Sequence, residues 1–318
     1  MTTRRALRVT SDGVNLHVVT LGDPSRVPVV LVHGYPDNHR VWDGVATRLA
    51  EQYFVVRYDV RGAGESDAPR HTAEYALELL ARDLRAVVDA VLPPDTRFHL
   101  VGHDWGSIQS WESVTRTPPN ARIASFTTIS GPSLDHAVLW AKARASSDSA
   151  RSKLSLARQL ASSLYIAFFH VPFLPAAAWR LVVGRRWSRY LERQEGVTEH
   201  PPSRTQIQDG VQGVELYRAN FRAKLRGAEP RQASCPVQLI VPLRDRFVRP
   251  QLLEDLPNYV PDLYRRELDA THWVVLSHPQ TTAGWIAEFI DCVEANRMSP
   301  ALIKARWRRE AGPETPDA

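Results

Sequence analysis

Cysteine is scarce in this sequence: only Cys235 and Cys292 occur in 318 residues. Two cysteines so far apart form neither a disulfide framework nor a metal-ligand spacing. A long apolar run is missing too. The most apolar stretch, Leu164 to Val183, is interrupted by His170, Pro172, Pro175 and Arg180. A membrane span needs about 20 predominantly apolar residues, so no transmembrane span is expected and the stretch reads as buried or pocket-lining. Peripheral contact with a membrane stays open. Met1 to Ala6 carries basic residues with no apolar run behind them, which does not read as a secretory signal. A cytoplasmic, reducing setting is expected. No nucleic-acid motif occurs, which sets nucleic acid aside as a partner.

The charge excess is mild, with 40 Lys and Arg against 35 Asp and Glu. Its clusters, at Arg180, Arg185, Arg186 and Arg189 and again at Lys304, Arg306, Arg308 and Arg309, read as solvated helix faces. A chain of this length buries a core without staples.

Strand-like and helix-like patterns alternate early. Arg8–Thr10 and Leu16–Leu21 read as strands around a Ser11-Asp12-Gly13 turn. Val27–Val32 and Phe54–Tyr58 read as buried strands, Phe98–Val101 as a short strand, and Ile123–Ile129 as strand-like. Helices are expected over Val41–Glu51 and Glu74–Val91 and after Trp105. This order predicts an α/β fold with a mostly parallel central sheet flanked by helices. From Gly131 to Glu229 the patterns are helical only. Strand character returns at Val237–Val241, then a helix, a strand near Tyr264–Leu268, and a helix from Thr281 to Ala295. The expected organisation is a core of residues 1–130 and 230–297, an inserted helical cap at 131–229, and a disordered tail or linker at 298–318.

The chemistry centres on Gly102-His103-Asp104-Trp105-Gly106-Ser107, with an apolar strand entering and a helix leaving. This is the pattern of a nucleophile elbow, with Asp at the nucleophile position. Gly102 and Gly106 leave room for the sharp turn. A carboxylate attacks carbon without a base to deprotonate it, because aspartates ordinarily titrate near about 4. Asp is also a common helix N-cap, but the context and the partners favour a nucleophile. An aspartyl ester must then be hydrolysed. His272, between the last strand and the last helix, is the best base. Asp245, directly after a buried strand, is the best acid to orient it. Asp262 and Asp269 are rival acids; His33 and His103 are rival bases that read as structural. The backbone N–H groups of Trp105 and Tyr35 are placed to form an oxyanion hole. The Gly62-Ala63-Gly64 turn is followed by no phosphate-loop lysine and reads as a tight turn beneath the site. No cofactor and no metal are expected.

Together these motifs resemble the epoxide hydrolase group of the α/β-hydrolases. Its His-Gly-x-Pro matches His33, Gly34, Tyr35 and Pro36. Its Gly-x-Gly-x-Ser matches Gly62 to Ser66, and its aspartate elbow matches Gly102 to Ser107. The resemblance covers Arg8 to Ala295 and is nearest to hydrolase domains fused to a short-chain dehydrogenase/reductase. It implies an α/β-hydrolase fold and opening of an epoxide to a vicinal diol through a hydroxyalkyl ester on Asp104. It also implies two cap tyrosines that hold the epoxide oxygen, matched by Tyr165 and Tyr217. The apolar cap segment suggests a hydrophobic, lipid-derived epoxide. Fusion to a reductase domain and a homodimer are left open. Haloalkane dehalogenase shares the aspartyl ester and is the alternative, although Tyr35 stands where those enzymes usually carry Asn. Trp105 and Ile108 occupy the arginine positions of fluoroacetate dehalogenases, which disfavours that relative. An alternative of another class is a non-catalytic protein that binds an apolar ligand in the cap pocket.

Overall fold

Short β-branched runs build the centre of the molecule. The computed structural model describes residues 3–198 and 203–308. Eight strands are formed: β1 (Arg4–Ser11), β2 (Val14–Leu21), β3 (Pro28–Val32), β4 (Phe54–Tyr58), β5 (Phe98–His103), β6 (Ile123–Ile129), β7 (Val237–Pro242) and β8 (Leu263–Leu268). They make one sheet in the order β1-β2-β4-β3-β5-β6-β7-β8. β1, β2 and β4 pair antiparallel; all later pairings are parallel. Every residue of β3 to β7 is buried, as coverage of both faces requires. The β1–β2 turn uses Asp12 and Gly13, both at positive φ, the conformation that matches the twist of a tight hairpin.

Helices α1 (Asp43–Leu49), α2 (Leu77–Val91) and α3 (Trp105–Val114) are the early crossovers. α2 buries Leu77, Leu80, Leu84, Val87 and Val88, an apolar stripe of helical period. Between β6 and β7 the described chain is helical: α4 (Leu134–Ala145), α5 (Ala150–Ser162), α6 (Leu164–Phe169), α7 (Leu174–Ala178), α8 (Gly184–Glu195) and α9 (Gln206–Gly227). A π-turn, Trp179–Val183, joins α7 to α8. We refer to this helical segment as the cap. α10 (Val274–Ser277), α11 (Pro279–Glu294) and α12 (Pro300–Ala305) close the chain.

Three expectations are corrected. The helix expected after β7 is replaced by two short 3₁₀ turns, Pro250–Leu253 and Leu256–Asn258, each with proline in its first two positions. Proline starts such turns readily, but Pro257 so soon after the first also prevents one long helix from running through. The segment after Met298 is partly ordered. α12 is capped by Ser299 and buries Leu302, and the Trp307 N–H donates to the Leu263 carbonyl at 2.8 Å. The acidic, proline-containing end from Pro313 to Ala318 lies outside the described residues, as does Arg309. Finally, Leu164–Val183 is not a uniformly buried segment. Its short helices turn Phe169 and Trp179 inward and leave Leu164, Phe173 and Leu181 at 69%, 86% and 64% exposure.

Candidate active site

β5 enters α3 through Asp104, whose φ of 51° and ψ of −123° are unusual for a residue with a Cβ. Such a conformation persists only where its surroundings enforce it. A Cβ on Gly106 would lie 2.0 Å from the Val32 carbonyl oxygen, and one on Gly102 would lie 2.5 Å from the Ser107 Cα. Only glycine at both positions lets β3, β5 and α3 approach closely enough to form the elbow. Ser107 faces away from the elbow's mouth, its Oγ donating to the Gly131 carbonyl at 2.6 Å.

Asp104 is 7% exposed and meets two groups. The Tyr35 N–H donates to its Oδ1 at 2.7 Å, and its Oδ2 lies 3.5 Å from His272 Nε2. The Trp105 N–H, at the first position of α3, makes no hydrogen bond to this carboxylate among the described residues. The other imidazole nitrogen, Nδ1 of His272, is 2.9 Å from Asp245 Oδ2. The second Asp245 oxygen accepts the Phe247 and Val248 N–H groups at 2.8 and 3.0 Å. Asp104, His272 and Asp245 are thus brought together. The rivals are elsewhere: Asp269 pairs with Arg244 at the surface, and Asp262 pairs with Arg306.

The rival histidines are held by backbone. His33 Nε2 accepts the Val60 N–H at 2.9 Å, which leaves the proton on Nδ1 to donate to the Gly34 carbonyl at 2.9 Å. His103 Nε2 donates to the His272 carbonyl at 2.9 Å. Burial, with His272 adding to it, pushes His103 down to about 4. A Cβ on Gly34 would strike Asp104 Oδ1 at 2.3 Å, so this glycine keeps the carboxylate accessible to the Tyr35 amide. Pro36 follows through a cis peptide, and its carbonyl accepts the Gln206 side chain at 2.8 Å. The Gly62–Ser66 turn is structural: Arg61 forms a buried pair with Asp83 at 2.6 Å, and Ser66 Oγ donates to the Asp59 carbonyl.

Charge in the site is strongly coupled. Burial opposes the imidazolium form of His272, but the Asp245 and Asp104 carboxylates outweigh it and hold its pKa well above the ordinary histidine range. Burial alone would raise Asp245; His272 and the two amides more than offset that and hold it below the ordinary carboxylate range.

The cap closes over Asp104 with aromatic rings. Tyr217 of α9 meets Trp105 edge-on at 4.9 Å and Tyr165 of α6 at 5.8 Å. Burial first, then for Tyr165 the Asp104 carboxylate and for Tyr217 its phenol neighbour Tyr165 followed by Asp104, raise both phenols above the usual tyrosine range. Both phenols are therefore favoured in the protonated form. The Trp105 indole Nε1 is buried with no hydrogen-bond acceptor among the described residues.

Sequence reasoning missed three neighbours. Asp37 directly follows the His33–Pro36 motif and accepts the Trp273 Nε1–H at 2.8 Å, anchoring the loop that carries His272. Its place beside the motif was the available signal. Phe247 packs edge-on against the His272 ring at 5.1 Å. Trp179, from the π-turn, donates its Nε1–H to the Tyr35 hydroxyl at 2.5 Å, and that hydroxyl donates to the Gly210 carbonyl at 3.0 Å. No pattern in the sequence marks Trp179. Away from the site, His17, His39 and Asp59 bring potential metal ligands within 4.8 Å of one another. Asp59 Oδ1 is already committed to the His39 N–H and imidazole, at 2.8 and 2.7 Å.

This architecture has counterparts. Residues 27–279 match the family described as the alpha/beta hydrolase fold. The chain belongs to the α/β-hydrolase fold family. It is similar to probable oxidoreductase EphD of Mycobacterium tuberculosis, at 36% identity over 311 residues, which is 95% of this chain and 52% of that protein. The chain therefore spans about half the length of that relative. It is also similar to epoxide hydrolase 3 of Xenopus tropicalis, at 25% identity over 89% of this chain and 77% of that protein. Among solved structures, a product complex of an epoxide hydrolase from Bacillus megaterium superposes with a TM-score of 0.73 at 20% identity. That likeness covers 90% of this chain and all of the other, and speaks to the fold. Among the described residues, no helix is long and apolar enough to cross a membrane.

Proposed function

We propose that the chain is an epoxide hydrolase that works through a covalent ester on Asp104. The observation that carries this reading is the Asp104 carboxylate with His272, paired to Asp245, 3.5 Å away, and with the cap tyrosines Tyr217 and Tyr165 packed edge-on against the adjacent Trp105 and against each other. Oδ1 is fixed by the Tyr35 N–H, which leaves Oδ2 to attack an epoxide carbon. As the ring C–O bond breaks, Tyr165 and Tyr217 donate to the departing oxygen, and one of them supplies its proton. Ester formation removes the negative charge 3.5 Å from His272 Nε2. The imidazole then holds its proton less tightly, and His272 becomes the base for water while Asp245 keeps the ring oriented. Water attacks the ester carbonyl, the Tyr35 amide and the adjacent Trp105 amide stabilise the oxyanion, and the diol leaves. Ring opening consumes one proton and hydrolysis releases one, so the cycle needs no net acid or base. The aromatic lining favours a hydrophobic epoxide. The relatives named as epoxide hydrolases support the same reading.

Haloalkane dehalogenation is the second reading, because the unpartnered Trp105 indole N–H is a donor suited to a halide. A single turnover in oxygen-18 water separates the outcomes. The expected result is unlabelled diol and one labelled oxygen on Asp104, found by mass spectrometry of the elbow peptide. Labelled diol with an unlabelled Asp104 would overturn the ester. Halide release from haloalkanes without epoxide turnover would favour the second reading.

A further inference from the structure

The two cap segments that line the site on one side carry a second, outward face. On α6, Leu164 and Phe168 are one turn apart and exposed, while Tyr165 and Phe169 point inward. α7 packs against α6, and the outer stripe continues with Leu174 of α7, then with Leu181 and Val182 within the π-turn, all exposed. Phe173 stands at the start of α7. It is 86% exposed and has a φ of 61°. Positive φ is costly for a bulky residue, and here no burial of the ring offsets it. A contiguous exposed apolar surface of this kind marks an interaction site.

Charge indicates the partner. One helical turn beyond Leu181 and Val182 stand Arg185 and Arg186, and one turn further Arg189, all exposed. None of these three, nor Arg180, has a carboxylate partner among the described residues. Between Asp148 and Glu192 the chain carries seven Lys and Arg and no acidic residue, although it has 35 acidic residues in all. An apolar tip backed by unpaired arginines is the arrangement that seats in an anionic lipid surface: the apolar side chains enter the acyl boundary and the arginines meet lipid phosphates.

We propose that the outer face of the cap, from Leu164 to Arg189, docks on anionic lipid bilayers, with Phe173, Leu174 and Leu181 inserted. This would place the cap against the phase in which hydrophobic molecules dissolve, but the docking itself does not depend on the reaction. It is tested by co-sedimentation with vesicles of phosphatidylcholine alone and of phosphatidylcholine mixed with phosphatidylglycerol. Circular dichroism and light scattering serve as controls of folding and oligomeric state, independent of any enzyme assay. The wild-type chain is expected to bind the mixed vesicles and not the neutral ones. The F173S/L181S variant should bind at least tenfold more weakly, and R185Q/R186Q should lose roughly fivefold per arginine. No binding to the mixed vesicles would overturn the proposal. Binding that survives F173S/L181S would reduce it to surface electrostatics and overturn insertion. A wild-type dimer that F173S/L181S converts to monomer, with no vesicle binding by either, would assign the face to a second copy of the chain instead.

Discussion

The sheet core and the helical cap hold their functional groups by different means. In the core, Asp104, Asp245 and His272 follow strands β5, β7 and β8, and backbone amides fix the two carboxylates: Tyr35 on Asp104, Phe247 and Val248 on Asp245. Little there can shift without breaking the sheet. In the cap, Tyr165 and Tyr217 are held mainly by ring contacts, edge-on with Phe169, Phe247 and Trp105 and stacked with Phe221. The cap is tied down by separate polar bonds, such as Asp209 to the Gly64 N–H at 2.8 Å and to Asn38 at 3.0 Å. The difference suggests a division of labour. On the proposed mechanism the core would fix the covalent steps, while the cap would tune which molecule is presented and how its leaving oxygen is received.

The largest effect should come from breaking the core's second step. His272→Gln leaves Asp104 able to attack but removes the base. We expect turnover to fall at least about 10⁴-fold. The protein should gain the mass of one epoxide, seen by intact mass spectrometry after mixing. A variant that turns over without accumulating ester would show that the core does not hold the hydrolytic step.

The cap's part is sharpened in the same background. Tyr165→Phe and Tyr217→Phe should each slow ester formation by roughly 10- to 100-fold, with the pair together in the range expected for general acid catalysis, about 10²–10⁴. Rapid-quench measurement of the trapped ester checks this. An unchanged rate in the double variant would remove the phenols from the chemistry and leave them as lining.

Asp37 tests whether the His272 loop is held by a neutral or a charged anchor. Burial raises Asp37 to about 7, Asp104 adds to this, and the Trp273 hydrogen bond partly opposes it. An acid with a raised folded-state pKa binds its proton more tightly when folded. Its stabilisation is complete below the unfolded value near about 4 and is lost as pH rises toward 7. Asp37→Asn keeps an acceptor for Trp273 and cannot ionise. Relative to wild type the variant should therefore gain stability between pH 5 and pH 8, by roughly 1–3 kcal/mol. Urea unfolding at the two pH values checks it, and the other raised carboxylates, Asp83 and Asp209, are common to both chains. Parallel behaviour would mean that water reaches Asp37.

Much of the core could be read in advance because its signals are local. Short runs rich in β-branched and aromatic residues gave β3, β4 and β6 within a residue, and a strand–Asp–helix elbow needs glycine at fixed offsets. Asp245 and His272 each followed a strand, which is where the sheet brings distant loops together. The cap was harder to read. A helix of six residues such as α6 turns alternate apolar side chains in and out, so the Leu164–Val183 composition did not reveal that half of it faces outward. The order of residues 299–308 depends on docking to β8, a long-range contact with no local signature.

Trp179 is the extreme case, and its test is the smallest. It lies in a π-turn, a local widening of the helix that often marks functional positions. There its indole reaches across to the Tyr35 hydroxyl, on the residue whose backbone N–H holds Asp104. Trp179→Phe keeps most of the ring and removes the donor. A lost neutral hydrogen bond costs about 1 kcal/mol, which for a chain this size shifts the melting temperature by a few degrees at most, about 2–4 °C. If core and cap act separately, the rate of ester formation should change less than about threefold, since a backbone amide fixed by its own loop does not need the phenol above it. A much larger loss of rate at this same small cost in stability would show that the cap reaches the oxyanion donor through Tyr35. The two regions would then be one mechanical unit at that residue.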